Sequence, residues 1–345
     1  MSAKDRILEE IVAGGPMPFE RFMEIALYHP EGFFGGDRLR SDRSGDFLTS
    51  PEVSVMFGET LAEWVKAEHQ RIGDPFRVVE VGAGSGSLLG PLLTAYPVEA
   101  IAVEVSPAAR RSLEAGLPGV DVRVDLPEVV LGVIIANELI DNLPMALAQR
   151  VAHGWRERWV GAEGDSLVFV DAPPRPDVVD WLDTYAGSVA EGGWVEVQLE
   201  AGRWLESALA RLGVGSVVVI DYGDTAENLL PRRADGTLRT YRAHHLGPHP
   251  LDEPGATDIT ADVNFTALEA VARRAGATVT LHRQDDYLAS LGLRDRLSAL
   301  RNAELEAART GDSNERLRLR SLKTGVETLL HPRGLGDFRV LVATR

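Results

Sequence analysis

Glu80-Val81-Gly82-Ala83-Gly84-Ser85-Gly86 places an acid at the end of an apolar run and follows it with alternating glycines. Glycine lets the backbone approach a ligand without an intervening Cβ. A strand that enters such a turn and leaves it as a helix is the first unit of a nucleotide-binding sheet. A dinucleotide fingerprint would put its third glycine where Ser87 stands. Its pyrophosphate would also sit at the helix start, where the Glu80 carboxylate opposes it. S-adenosylmethionine has no phosphate and carries a sulfonium and an ammonium, so the same carboxylate suits it. The spacing therefore favours this methyl donor over a nicotinamide dinucleotide. Glu80, Gly82, Ala83, Gly84 and Gly86 are expected against the cofactor. Glu104, at the end of the next apolar run and followed by Val105, can accept hydrogen bonds from two ribose hydroxyls. Asp125, followed by Leu126 after the third run, can meet the adenine amino group.

A second group of polar residues follows the fourth apolar run. Asn137, Glu138 and Asp141 would lie at the carboxyl edge of a parallel sheet, where ligands bind in this architecture. Methyl transfer is an in-line displacement that depends on positioning. Carboxylates there can orient an acceptor and help remove its proton, above all if it is a guanidinium, which starts protonated with a pKa above roughly 12. Asn137 can hold the substrate or the methionine end of the cofactor, and Glu138 and Asp141 are the leading acids. Asp141 as the cap of a following turn is the alternative. Asp221-Tyr222-Gly223 ends the fifth run and would face the same cleft, with Tyr222 packing on the substrate, or it is simply a turn. Thr49-Ser50-Pro51-Glu52 reads as a helix cap with proline in the first turn, and also as a cofactor wall. His244 and His245 form the only histidine pair. Further ligands at metal-binding spacing are missing, so no metal is expected and His244 is a structural or substrate-contact residue.

The elements that must position these groups alternate short apolar runs with helical stretches, the pattern of a parallel sheet. Strands are expected at Arg77–Val81, Ala100–Val105, Val120–Val124, Leu131–Ala136 and Ser216–Ile220, closed by Thr278–His282 and Arg339–Ala343. This predicts an α/β, Rossmann-like class I sheet of seven strands. An N-terminal helical extension with a cofactor-covering loop is expected over residues 1–75. Two helical pieces open it, with Ile7, Leu8, Ile11 and Val12 as the apolar stripe of the first. The main domain spans 76–345. It carries a substrate-binding insertion at about 145–200, where Ala148–Val170 alternates like antiparallel strands, and a helical segment at about 294–330.

The chain of 345 residues has 36 basic against 52 acidic side chains, a net charge of −16. That argues against nucleic-acid binding, which needs clustered Lys and Arg. There are no cysteines, which excludes disulfides, thiolate metal sites and a Cys nucleophile. No run of about 18 apolar residues occurs, and the N-terminus lacks the features of a signal or transit peptide. The expectation is a cytoplasmic protein with no membrane partner. The oligomeric state is open, with a homodimer as one option.

Further motifs extend the reading. Leu27-Tyr28-His29-Pro30, Gly32-Phe33-Phe34, Gly45-Asp46-Phe47-Leu48-Thr49-Ser50-Pro51-Glu52 and Phe57-Gly58 precede the glycine turn. Asn137-Glu138-Leu139-Ile140-Asp141-Asn142-Leu143-Pro144, Asp221-Tyr222-Gly223, Gly236-Thr237-Leu238-Arg239 and Gly334-Leu335-Gly336-Asp337-Phe338 follow it. In these the chain resembles the MidA family of methyltransferases from about Phe22 to its end. The resemblance implies S-adenosylmethionine as cofactor and a protein as methyl acceptor. For the mitochondrial members the acceptor is an arginine of a respiratory complex I subunit. Asn142 stands where that family usually has Ala, and Asp262 and Asn264 where it often has His and Asp. A small-molecule acceptor and an assembly factor with little catalysis are the alternatives on the same fold.

Overall fold

The computed structural model describes residues 2–36, 49–242 and 245–345. Its centre is a seven-stranded sheet. We number its strands β1 (Arg77–Val81), β2 (Glu99–Val103), β3 (Asp121–Arg123), β4 (Val130–Asn137), β5 (Leu212–Asp221), β6 (Thr278–Arg283) and β7 (Arg339–Thr344). The order across the sheet is β6-β7-β5-β4-β1-β2-β3, with β7 antiparallel to both neighbours and the β5-β4-β1-β2-β3 pairs parallel. This is the expected class I arrangement.

The strands are apolar on both faces because both are covered, as parallel sheets require. Val78, Ala100, Ala102, Val133, Ile135, Val218 and Ile220 point to one side. They pack under helix Met56–Ile72 through Phe57, Leu61, Trp64 and Val65. The alternate residues Val79, Ile101, Val103, Ile134, Val217 and Val219 point to the other, against helix Leu199–Arg211 through Ala201, Leu205, Ala208 and Leu209. The charged segment near the end is a hairpin of two helices, Leu293–Thr310 and Ser313–Leu329, broken at Gly311 and Asp312.

Close strand approach sets one strict requirement. Gly215 pairs with Gly132 across β5 and β4. It has φ +142°, and an added Cβ would lie 1.7 Å from the Gly132 carbonyl oxygen. Gly215→Ala is expected to cost at least about 3 kcal/mol through overpacking and an unfavourable φ. Urea denaturation measures this, and an unchanged midpoint would refute the packing argument.

A second sheet lies outside the first. Its central strand, Gly154–Glu163, pairs antiparallel with Ala146–Val151, with Ser166–Ala172 and with Met17–Pro18, and Trp194–Val197 completes it beside Ala146–Val151. The N-terminal extension and the insertion therefore share one sheet and one core. In that core Ile7, Phe19, Phe22 and Leu27 meet Leu147, Val160 and Ile259. Helix Ala3–Gly14 turns Ile7 and Ile11 inward, but Val12 is 86% exposed, so the apolar stripe is narrower than its sequence suggests. Residues 239–242, 245–246 and 258–260 form a small third sheet. No helix among the described residues is long and apolar enough to cross a membrane.

Candidate functional site

A cleft opens at the carboxyl ends of β1, β2 and β4, the edge of the sheet where ligands bind in this architecture. Its floor is the turn after β1. Gly82, Gly84 and Gly86 all have positive φ, at 71°, 53° and 82°. A Cβ on Gly82 would meet Leu139 Cδ1 at 3.0 Å, and one on Gly86 would meet Leu117 Cδ1 at 2.9 Å. The turn is thus closed to side chains from outside as well as by its own backbone. The Gly84 N–H donates to Glu104 Oε2 at 2.8 Å, and the Ser106 N–H donates to Oε1 at 2.7 Å. Two backbone donors aim the Glu104 carboxylate and leave it further lone pairs for a ligand.

Two buried acceptors at this floor have no donor: Glu80 Oε2 and Asn137 Oδ1. Burial pushes the Glu80 carboxyl well above the ordinary carboxylate range, with the Glu104 charge adding to it. Acceptors without donors, one of them acidic, suit a ligand that brings N–H groups and positive charge. The ammonium of S-adenosylmethionine does both, and a pyrophosphate does neither.

A family model described as putative S-adenosyl-L-methionine-dependent methyltransferase matches residues 60–282 of the 345. The chain belongs to this family. A Burkholderia thailandensis protein whose crystal structure holds S-adenosyl-homocysteine is 31% identical, with a TM-score of 0.88 over 99% of this chain and 92% of that one. The mitochondrial protein arginine methyltransferase NDUFAF7 of Bos taurus is 28% identical over 379 residues, covering 96% of this chain and 80% of the relative. Its Homo sapiens counterpart is 27% identical over 375 residues, with the same coverage. The cofactor of this methyltransferase is S-adenosylmethionine, and Glu80, the glycine turn, Glu104 and Asn137 are the groups that fit it.

Beyond the cofactor floor the wall of the methyltransferase cleft is acidic. Glu138 follows β4 with φ 50°, the one non-glycine residue with positive φ among those described. Such backbone costs of order 1–3 kcal/mol and persists where the surroundings fix it. Here its N–H donates to the Ile220 carbonyl at 2.8 Å, and its Oε1 accepts from the Ser50 N–H at 2.9 Å and the Asn137 amide at 3.3 Å. Burial raises its pKa to about 8, partly offset by the Ser50 N–H. Asp141 and Asp221 are buried behind it. Asp221 Oδ2 accepts the N–H groups of Ile140 at 3.0 Å and Asp141 at 3.3 Å, and its Oδ1 accepts that of Tyr222 at 2.9 Å. Burial raises both aspartates above the usual range, and for Asp221 the neighbouring Asp141 and Glu138 charges add to it.

Of the residues singled out in the sequence, Thr49, Glu80, Gly82, Ala83, Gly84, Glu104, Val105, Asn137 and Glu138 line the cleft. Gly86 shapes the turn from behind. Ser50 takes part through its backbone. Glu52 closes a capping box with Thr49 at the start of helix Ser50–Val53, so that cap and cofactor wall are one element. Asp125 and Leu126 do not line the cleft: β3 ends at Arg123, leaving Asp125 exposed and Leu126 against the core. Asp141 and Asp221 hold the turn that carries the wall. The Tyr222 hydroxyl donates to Asp141 instead of lying open to a substrate. His244 and Asp46 fall outside the described residues. The departures from the MidA pattern are all partnered. Asn142 donates to Asp258 at 2.8 Å and to the Ile259 carbonyl at 3.1 Å, Asp262 takes Arg232 and Arg239, and Asn264 caps helix Phe265–Arg274.

The sequence reading missed Tyr28, Phe34, Ser106 and Asn142, which also line the cleft. Tyr28 donates its hydroxyl to the Asn142 carbonyl at 3.2 Å. The motifs Leu27–Pro30 and Gly32–Phe34 marked this segment without a role. Periodicity cannot say which ring of an aromatic cluster faces a cleft formed with residues over a hundred positions away.

Proposed function

We propose that the methyltransferase acts on arginine side chains of a protein substrate. The single observation that carries this reading is the carboxylate of Glu138, held at the cleft wall by Ser50 and Asn137 on a strained backbone. The relatives named as protein arginine methyltransferases over 96% of this chain support it.

When bound, S-adenosylmethionine supplies an electrophilic methyl group on sulfur. The chain's own task is to present a nitrogen nucleophile. A guanidinium is protonated at any ordinary pH and offers only donors. An ionised Glu138 can accept two of its N–H groups, hold the positive charge on the far nitrogens and leave the near one as nucleophile. With its Oε1 already engaged by Ser50, the carboxylate cannot swing away from the wall. Tyr28 and Phe34 give the cleft an aromatic wall, against which a guanidinium can stack.

The test is incubation with methyl-labelled cofactor and a lysate, followed by acid hydrolysis of the labelled fraction. Label in methylarginine of a protein band is the expected result. Label confined to small molecules, or to another amino acid, would overturn the arginine reading while leaving the methyltransferase assignment intact.

A further inference from the structure

Gln284 is the first residue after β6, at the edge of the sheet, and is fully buried. Its backbone N–H donates to the Phe338 carbonyl at 2.8 Å. Its side-chain Nε2 donates to the Leu335 carbonyl at 2.9 Å and to Ser50 Oγ at 3.3 Å. A carbonyl can take only the nitrogen end of an amide, so Leu335 fixes which end faces Ser50. The other end, Oε1, is buried and has no donor. Such an oxygen is costly, and an apolar side chain of the same length would avoid the cost. What an apolar side chain cannot supply is two directed N–H bonds, one to the turn Leu335–Asp337 and one to Ser50.

Ser50 opens the helix Ser50–Val53, and its N–H is the donor to Glu138 Oε1 at 2.9 Å. A helix of four residues does not hold its shape alone, so its place is set by what touches it. Its far end is gripped by Gly325 of helix Ser313–Leu329. A Cβ there would lie 2.9 Å from Ser54 Cβ and 3.0 Å from the Val53 carbonyl oxygen. The capping box of Thr49 and Glu52 is internal to the segment. At the end that carries the donor, the side-chain tie to the rest of the fold is Gln284, 234 positions away.

We propose that Gln284 is a positioning residue for the methyltransferase cleft. Holding Ser50 by its hydroxyl, it aims the Ser50 N–H at Glu138 Oε1 and keeps that carboxylate on the wall. The consequence for methyl transfer rests on the arginine reading above; the placement of the carboxylate does not. The charged groups that face Glu138 are Asp141, Asp221 and Glu52, all acids. The Ser50 N–H and the Asn137 amide are what favours its ionised form, and loosening the first raises the pH at which Glu138 ionises.

The experiment follows the Glu138 carboxyl in the full ligand-free chain, by NMR of protein isotopically labelled at its glutamate carboxyl carbons. The Glu138 resonance is the one absent from Glu138→Gln. In wild type it should titrate with a midpoint of about 8. Gln284→Met keeps the length of the side chain and removes both amide bonds. Ser50→Ala removes the hydroxyl and keeps the N–H. Each should move the midpoint up by about half a pH unit or more, the scale of one weakened charged hydrogen bond. The double variant should move it no further than Gln284→Met, because both changes break the same bond. Ser50→Ala serves if Gln284→Met does not fold. Wild-type midpoints in both folded variants would overturn the positioning role and leave Glu138 as the acid of the wall. Shifted midpoints, with wild-type transfer of labelled methyl to lysate protein by Glu138→Gln, would keep the positioning role and overturn the part given to Glu138 in the arginine reading.

Discussion

Gly84→Val is expected to abolish binding of S-adenosylmethionine while leaving the protein folded. Gly84 has φ 53° and donates its N–H to Glu104 Oε2 at 2.8 Å. A β-branched residue avoids that region of backbone space, at a cost of about 1–3 kcal/mol. The turn would relax toward negative φ, rotating the N–H away from Glu104 and releasing a charged hydrogen bond of about 1.5–3 kcal/mol. Together the two losses, about 2.5–6 kcal/mol, weaken the cofactor by roughly 60-fold or more. The branched side chain also fills the cleft lined by Gly84. Calorimetric titration with S-adenosyl-homocysteine measures the loss, and a thermal melt confirms the fold. Affinity within threefold of wild type would show that the ligand does not lie on this turn.

Glu138→Gln is expected to lower kcat/KM by about 100-fold or more with cofactor affinity nearly unchanged. Glutamine keeps the size of the side chain and can still accept from the Ser50 N–H and Asn137, so the wall survives. What disappears is the charge facing a cationic acceptor, an interaction of about 3–5 kcal/mol when one partner of an enclosed pair is removed. The pH profile separates this from a packing defect. With its pKa at about 8, Glu138 ionises late, so wild-type kcat/KM should climb as pH rises toward 8 and level off above it. The variant should lack that limb. Stability runs the other way. The folded carboxyl, at about 8 against an ordinary 4.5, holds its proton over a window in which the unfolded chain has released it. Its contribution is full below about 4.5 and is lost as pH rises through about 8. The ligand-free wild type should therefore melt at progressively lower temperature across that window, and Glu138→Gln should flatten the decline. A flat wild-type profile would remove Glu138 from this role.

Cofactor chemistry and fold class were legible in the primary structure because they rest on local rules. A strand, a glycine turn and a helix occupy consecutive residues, and the period of apolar positions marks each strand of a sheet buried on both faces. Glu80, Gly82, Gly84 and Glu104 needed no tertiary information beyond the fact that parallel strands end on one edge. Asp125 lies two positions past the end of β3 at Arg123, exposed and outside the cleft lining, a placement the spacing of apolar runs does not report.

Contacts between distant segments were legible only in the folded chain. Met17–Pro18 joins the insertion through Gly154–Glu163, and Tyr28 reaches Asn142 across 114 positions. Thr260 meets Asp141 across 119. No periodicity encodes such meetings, because each depends on how separate elements pack. The same holds for charge. Asn137, Glu138 and Asp141 were identifiable as acids and an amide at a sheet edge, but burial and hydrogen-bond donors gave them different roles. The primary structure by itself pointed to a methyl donor as the cofactor and to the Glu80–Gly86 turn as the place to look for it. The tertiary structure decided that Glu138 faces the cleft while Asp141 and Asp221 stand behind it, because desolvation and partner geometry exist only once the chain is packed.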